Sequence, residues 1–168
     1  GDITVSKMIE ALGTLLDYSM DRNSRRLIPL SEELRCADAY FYIISMRFGQ
    51  RLMVEKEVDD ELLQIPVPQL ILQPILENAI KHGVEVVKKG HVWLNVYREE
   101  ENVILSVINT GKDMTIEDQK RINDILGGNY HPDMGEPGIH VSLGIRNVNE
   151  RIQLIYGENY GLTIEPYE

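Results

Sequence analysis

Residues 70–83, LILQPILENAIKHG, place an acid, an amide, an amine and an imidazole within six positions: Glu77, Asn78, Lys81 and His82. At about 100° per residue on a helix, these four fall in one sector of roughly 140°. Leu72, Ile75, Leu76, Ala79 and Ile80 fill the opposite side. Such a helix packs its apolar side on a sheet and turns four polar groups of different character into one space. Solvated faces carry such residues too, so the segment alone leaves a site and a plain surface both open. A second constellation is VINTGKDM, residues 107–114. A strand ends at Asn109 and turns at Gly111, and a polar side chain beside a glycine there can approach a flat heterocycle edge-on. As a lone feature it is a turn. The third is SLGIRNVNERI, residues 142–152, where Ser142 and Gly144 lead into a helix. Backbone N–H groups at a helix start bind phosphate, and the helix dipole assists. A glycine before a helix is common, and this signal alone is weak.

The elements that must position these groups are legible from periodicity. Residues 3–20 carry apolar side chains at helical spacing. Asp21–Arg26 is polar and is expected to be a loop. Ser31 is expected to cap a helix that runs to Phe48, with Glu32 and Glu33 suiting the dipole of its first turn and Gly49 stopping it. Residues 51–58 read as a strand, and Pro66 and Pro68 punctuate the chain before the polar-faced helix. That helix is expected to close at Gly83 and to kink at Pro74, which has no N–H for an i−4 bond. HVWLNVYR (91–98) and NVILSVIN (102–109) form a predicted hairpin about Glu99–Glu101. A helix over 115–126 follows, then a loop over 127–140 with four Gly and two Pro. A last helix spans 144–156, and GLTIEPY (161–167) is the predicted closing strand. A helical front followed by helices interleaved with strands is an α+β pattern, with helices on one face of a sheet.

Composition narrows the function class. The formal charge of −10 argues against nonspecific nucleic-acid binding, which needs many cations against phosphates. It leaves room for a small basic pocket. The single cysteine, Cys36, excludes an internal disulfide and a cysteine-based metal cluster, and its neighbours mark it as a buried helical thiol. No apolar run approaches the ~20 residues that cross a bilayer, and no signal peptide is expected. A chain that opens on Gly1 is expected to be a piece of something longer.

Taken in order, the three constellations resemble the N box and the first and second glycine boxes of the ATPase and kinase superfamily that includes histidine kinases, DNA gyrase, Hsp90 and MutL. The segments IPVPQLILQPILENAIKHGV, LGIRNVNERIQLIYG and LSEELRCADAYFYIISMRFGQRL look like sensor histidine kinases of the LytS/YesM type. The similarity covers essentially the whole chain. It implies a Bergerat-type ATP-binding fold, a two-layer α/β sandwich with a mixed, mostly antiparallel sheet. Residues 1–26 would be the remnant of a second dimerisation and phosphotransfer helix, and 27–168 the ATP-binding domain. The resemblance implies that Asn78 coordinates Mg²⁺ bridging the ATP phosphates, and that the neighbouring Glu77 polarises the attacking group or positions the metal. Lys81 and His82 match positions facing phosphates or ribose. Asn109 sits where an aspartate usually accepts from the adenine amino group, with Gly111 and Met114 in the same box. Ser142, Gly144, Ile145 and Asn147 match the second glycine box, and Thr163 a threonine that helps hold adenine.

Three departures matter. Asn109 replaces the aspartate and lacks its charge, and charge-assisted bonds are about twice as strong as neutral ones. Asp113 and Ser142 stand where glycines are usual. Weakened ATP affinity is expected. The phosphorylated histidine of such kinases lies in a motif resembling NPHFLYN, absent here. Of the four histidines, His82 belongs to the N box, His91 is expected to be structural, and His131 and His140 flank the glycine-rich loop, expected to act as a lid. The implied activity is γ-phosphoryl transfer from ATP to an upstream histidine of the same protein. The implied partners are a response regulator and a second copy of the kinase. The parent would be membrane-bound, with this domain in the cytoplasm. A degenerate nucleotide-binding or interaction module without catalysis is the alternative, and an ATPase of the gyrase or Hsp90 kind a third reading.

Overall fold

The computed structural model of the chain describes residues 2–20, 26–111, 113–128 and 143–166. Two compact units make up the chain, Gly1–Gly111 and Lys112–Glu168. All but Arg26 of the expected loop over 21–26, most of the loop over 127–140, Ser142, His131 and His140 lie outside the described residues.

In the first unit, α1 (Asp2–Met20) lies against α2 (Leu30–Phe48). Between them β1 (Leu27–Pro29) pairs antiparallel with β3 (Pro66–Pro68). The α2 helix stops at Gly49, whose φ of +54° a residue with a Cβ rarely adopts. Ser31 is not its cap. The helix starts two residues earlier than that cap would place it, at Leu30 after Pro29, and no side chain caps it. The carbonyls of Ile65 and Leu63 accept from Leu30 N and Ser31 N at 2.9 Å each, so a neighbouring turn supplies what a capping hydroxyl would.

A three-stranded mixed sheet carries the order β2–β4–β5. Its strands are β2 (Leu52–Val58), β4 (Gly90–Glu99) and β5 (Asn102–Asn109). The hairpin β4–β5 is antiparallel, with Glu99 opposite Asn102, so its turn is only Glu100 and Glu101. Glu100 takes φ +52° to close it. The β2–β4 pairing is parallel, Leu52 opposite Gly90. A parallel pair needs a long crossover, and this crossover contains β3 and α3 (Leu72–Ala79). On β4, Val92, Leu94 and Val96 are at most 1% exposed, while His91, Trp93 and Asn95 on the other face are half-buried. α3 lies against β5 and α2 lies against α3 and β2, which makes this a two-layer α+β arrangement. Leu30, Leu72 and Leu76 are buried to 1% or less. Each contributes about 1.5–3 kcal/mol relative to an exposed side chain.

Two expectations about the polar-faced helix need correction. Pro74 produces no interior break, because it is the third residue of α3, where an N–H has no partner within the helix in any case. Gly83 does not end the helix. The chain runs on through a π turn, Ile80–Val84, with Glu85 N donating to Ile80 O at 3.0 Å.

In the second unit, α4 (Ile116–Leu126) begins at a capping box: Thr115 Oγ1 accepts from Asp118 N, and Asp118 Oδ2 from Thr115 N, both at 3.1 Å. α5 spans Leu143–Tyr156. The predicted closing strand over 161–167 is not found: its described residues, 161–166, join no ladder. Side chains hold them instead. Asn123 Nδ2 donates to Ile164 O and Asn123 Oδ1 accepts from Ile164 N, both at 3.3 Å, imitating a strand neighbour. Asn149 Oδ1 accepts from Leu162 N at 2.7 Å.

Candidate functional site

The polar face of α3 is built as its wheel predicts. Leu72, Leu76, Ala79 and Ile80 are buried and Ile75 half-buried, while Glu77, Lys81 and His82 are exposed and Asn78 is half-buried. Gln73 Nε2 donates to Glu77 Oε1 at 3.0 Å, one turn apart. The π turn then presents Lys81 and His82. Single π turns inside helices recur at functional sites.

The π turn meets the end of β5 at van der Waals range, and two glycines permit it. A Cβ on Gly83 would lie 2.4 Å from both Asn109 Nδ2 and Thr110 O. A Cβ on Gly111 would lie 2.8 Å from His82 O. Thr110 extends the hairpin past its last strand residue, since His91 N donates to Thr110 Oγ1 at 2.9 Å and Thr110 N to His91 O at 3.0 Å. Asn109 donates its amide nitrogen to Thr110 O at 3.1 Å. Its donor end is thereby engaged internally, and its carbonyl oxygen remains an acceptor. In the first unit the π turn thus brings His82 and Gly83 against Asn109, Thr110 and Gly111, with Glu77 and Asn78 on the helix that leads into it.

The surroundings of the π turn are charged. Burial, and then the carboxylates of Glu77 and Glu85, push the Tyr40 hydroxyl up to about 12, with Arg47 opposing. Arg47 meets Glu85 at 3.1 Å. Arg51 donates to the carbonyls of Lys88 (3.2 Å) and Val87 (3.1 Å), which fastens the turn after the N-box segment to the end of α2. His91 stacks on Trp93 at 3.6 Å between ring centroids and its Nε2 approaches Glu55 Oε1 to 2.7 Å, in keeping with a structural place in the sheet.

The second unit holds the remaining candidates. Gly144 and Ile145 open α5, with the Ile145 side chain buried in the core and Asn147 exposed. Met114 is half-buried, and Asp113 is exposed. Thr163 is exposed and lines a shallow cavity of about 310 Å³ with Asn123, Asn149 and Tyr160. Among the described residues, no three His, Cys, Asp or Glu side chains come together to hold a metal.

Reasoning from sequence missed Glu33 and Asn149, 1% and 2% exposed. Glu33 accepts from Leu70 N (2.6 Å), Ile71 N (3.2 Å) and Leu72 N (3.1 Å) at the start of α3. Asn149 donates to Leu126 O at 2.9 Å besides holding Leu162. The signal was present in both helices. Each is a polar residue in an apolar stripe, Glu33 with Leu30, Leu34 and Ala37, and Asn149 with Ile145 and Val148.

Comparison with known proteins matches residues 64–165 to the family described as Histidine kinase-, DNA gyrase B-, and HSP90-like ATPase. Residues 2–52 match the family described as Histidine kinase. Sensor protein LytS of Oceanobacillus iheyensis is 31% identical over 84% of the chain and 23% of its own length. Sensor histidine kinase YesM of Bacillus subtilis is 31% identical over 95% of the chain and 25% of its own. The chain therefore spans about a quarter of the curated relatives it matches. The catalytic domain of histidine kinase ThkA shares the fold, with a TM-score of 0.57 at 18% identity, over 78% of the chain and 82% of that domain. A histidine kinase domain of a blue-light activated kinase from Erythrobacter litoralis gives 0.50 at 22% identity, over 89% and 64%.

Proposed function

The chain belongs to the family of histidine kinase-, DNA gyrase B- and HSP90-like ATPases, and on that premise we propose that it is the ATP-binding catalytic domain of a two-component sensor histidine kinase. It would transfer the γ-phosphoryl of ATP to a histidine elsewhere in the same protein. The observation that carries this reading is the contact of the π turn with Asn109 through Gly83 and Gly111. It brings a heterocycle acceptor beside a helix that offers a carboxylate, a carboxamide and a cation.

Phosphoryl transfer depends on positioning and on neutralising charge. Asn109 Oδ1 accepts from the adenine amino group. Lys81 faces the phosphates as a fixed cation, and His82 lies beside it. Glu77 orients the incoming imidazole and takes its proton. On kinship alone, Met114, Ser142, Gly144, Ile145, Asn147 and Thr163 are further candidates for nucleotide contact. The oxygen donors of Asn78 and Glu77 suit Mg²⁺, which is held by one or two protein oxygens together with phosphates and water. Bound there, the ion would offset phosphate charge.

The α1 helix supports a dimerisation role. Val5, Ile9, Leu12 and Leu16, at alternating steps of four and three, are 46–65% exposed. Such a seam suits a partner helix, here the phosphoacceptor helix of the same protein and its counterpart in a homodimer. A response regulator would receive the phosphoryl group. No helix among the described residues is long and apolar enough to cross a membrane, and the placement as the cytoplasmic part of a membrane-bound sensor rests on the kinship.

The test is thermal melting with Mg²⁺, with and without millimolar ADP, beside Asn78→Ala. A ligand of the folded state alone stabilises by about 2.7 kcal/mol at a hundredfold excess over Kd. A shift that Asn78→Ala removes is the expected result. No shift at high ligand would mean that Asn109, Asp113 and Ser142 have disabled the site, and an interaction module would replace the kinase reading.

A further inference from the structure

The start of α3 is held by two other helices. Leu70, just before it, takes φ +62°, a left-handed conformation that disfavours a leucine. Its N–H is shared between Glu33 Oε1 at 2.6 Å and the Tyr18 hydroxyl at 3.1 Å. The other carboxylate oxygen of Glu33 accepts from Ile71 N and Leu72 N. Gln69 Nε2 donates to Tyr18 O at 3.4 Å. Tyr18 lies in the last turn of α1, Glu33 in the first turn of α2, and both are at most 7% exposed.

We propose that Glu33 and Tyr18 are positioning residues for the nucleotide site, joining α1 to the start of the helix that carries Glu77 and Asn78. The proposal rests on the reading of that face as a nucleotide site. The carboxylate sits at the positive end of α3 and meets the N–H groups of Leu70, Ile71 and Leu72 where the helix starts, so it fixes where the helix begins. Leu72 and Asn78 are about 9 Å apart along the helix at 1.5 Å per residue. Leu72, Leu76 and Ala79 are buried on one side of it. A helix anchored this way moves as a rod, and a change at its first turn is delivered to Glu77 and Asn78. Tyr18 brings α1 into that anchor through its hydroxyl. A displacement of the last turn of α1 therefore alters the site without touching any residue in it.

The experiment compares Tyr18→Phe and Glu33→Gln with the unaltered chain by amide exchange, by amide resonances and by Mg·ADP affinity in calorimetry. Tyr18→Phe keeps the ring and its packing, so it remains informative should Glu33→Gln fold poorly. The expected result is faster exchange at Leu70–Leu72, displaced resonances at Glu77 and Asn78, and Mg·ADP affinity lowered about three- to tenfold, the size of one neutral hydrogen bond. A purely structural junction would speed exchange at Leu70–Leu72 and leave both the Glu77 and Asn78 resonances and the affinity unchanged, which overturns the proposal. Should the unaltered chain bind no nucleotide, the kinase reading fails separately. The resonances then decide: displacement at Glu77 and Asn78 upholds the coupling, and its absence overturns it.

Discussion

Gly83→Ala tests the contact on which the site is built. The added carbon would stand 2.4 Å from Thr110 O, a backbone atom, and 2.4 Å from Asn109 Nδ2. Contact between carbon and these atoms needs more than 3 Å, so the π turn and the end of β5 must part by most of an ångström. Gly83 itself is buried. Overpacking of a tight interior costs about 1–3 kcal/mol, and for a chain of this size each kcal/mol lowers Tm by about 2–4 °C. A fall of about 4–8 °C follows for a loss near the middle of that range. Mg·ADP binding should weaken as well, because Asn109 leaves its place beside the N-box turn. Gly13→Ala is the matched control, since a Cβ there meets nothing within 4 Å and lies within α1. Alanine in a helix interior is favoured by roughly 0.5–1 kcal/mol, so this substitution should raise Tm by a degree or more. Paired melting curves and ADP titrations read both. If Gly83→Ala melted with the parent chain and bound ADP equally, the close approach would not constrain the molecule and the reasoning would fail.

Asn149→Ala leaves the carbonyl of Leu126 and the N–H of Leu162 without their partner. At about 1–3 kcal/mol for each stranded buried group, the second unit should lose a few kcal/mol, seen as faster amide exchange at Leu162, while Asn149→Asp retains the acceptor for that amide. Glu100→Gly should stabilise the hairpin by up to about 1 kcal/mol in denaturant titrations, since φ +52° disfavours glutamate and suits glycine. Burial pushes the Cys36 thiol up to about 12 from 9.0, and Tyr40 likewise from 10.0. Both groups are neutral when protonated and hold the proton more tightly when folded. Their contribution is thus complete below pH 9 and is lost as pH rises through 12. Alkaline titration should show destabilisation in that window, and a thiol reagent at pH 7 should label Cys36 only after denaturation.

Periodicity made the helices over 3–20, 72–82 and 144–156 and the hairpin about Glu100 legible, because each buries one face of a regular element. The polar sector of α3 was read for the same reason. What sequence missed depends on partners distant in the chain. Ser31 has the right chemistry for a cap, yet the carbonyls of residues 63 and 65 take the role. Glu33 was read as serving the dipole of its own helix, while its carboxylate serves another helix that begins 39 residues on. Leu162 and Ile164 have strand-forming side chains, but Asn123 and Asn149 occupy the backbone groups that a ladder would use. Gly83 reads as a helix stop, yet the helix widens there into a π turn that Thr110 approaches closely. The roles proposed for the individual site residues come only from the family resemblance, since an asparagine before a Thr-Gly pair is otherwise a turn.

The crossover between β2 and β4 also bears on how the chain folds. The β4–β5 hairpin needs only a two-residue turn to close, an event of microseconds. The parallel β2–β4 ladder must first bring together strands separated by β3, α3 and the π turn, at the entropic cost of a long loop. Kinetically, then, the hairpin is a local event and the segment bearing Glu77 and Asn78 belongs to the slow, non-local step. A refolding chain acquires its sheet edge early, but the polar face of α3 takes its final place only when the crossover closes.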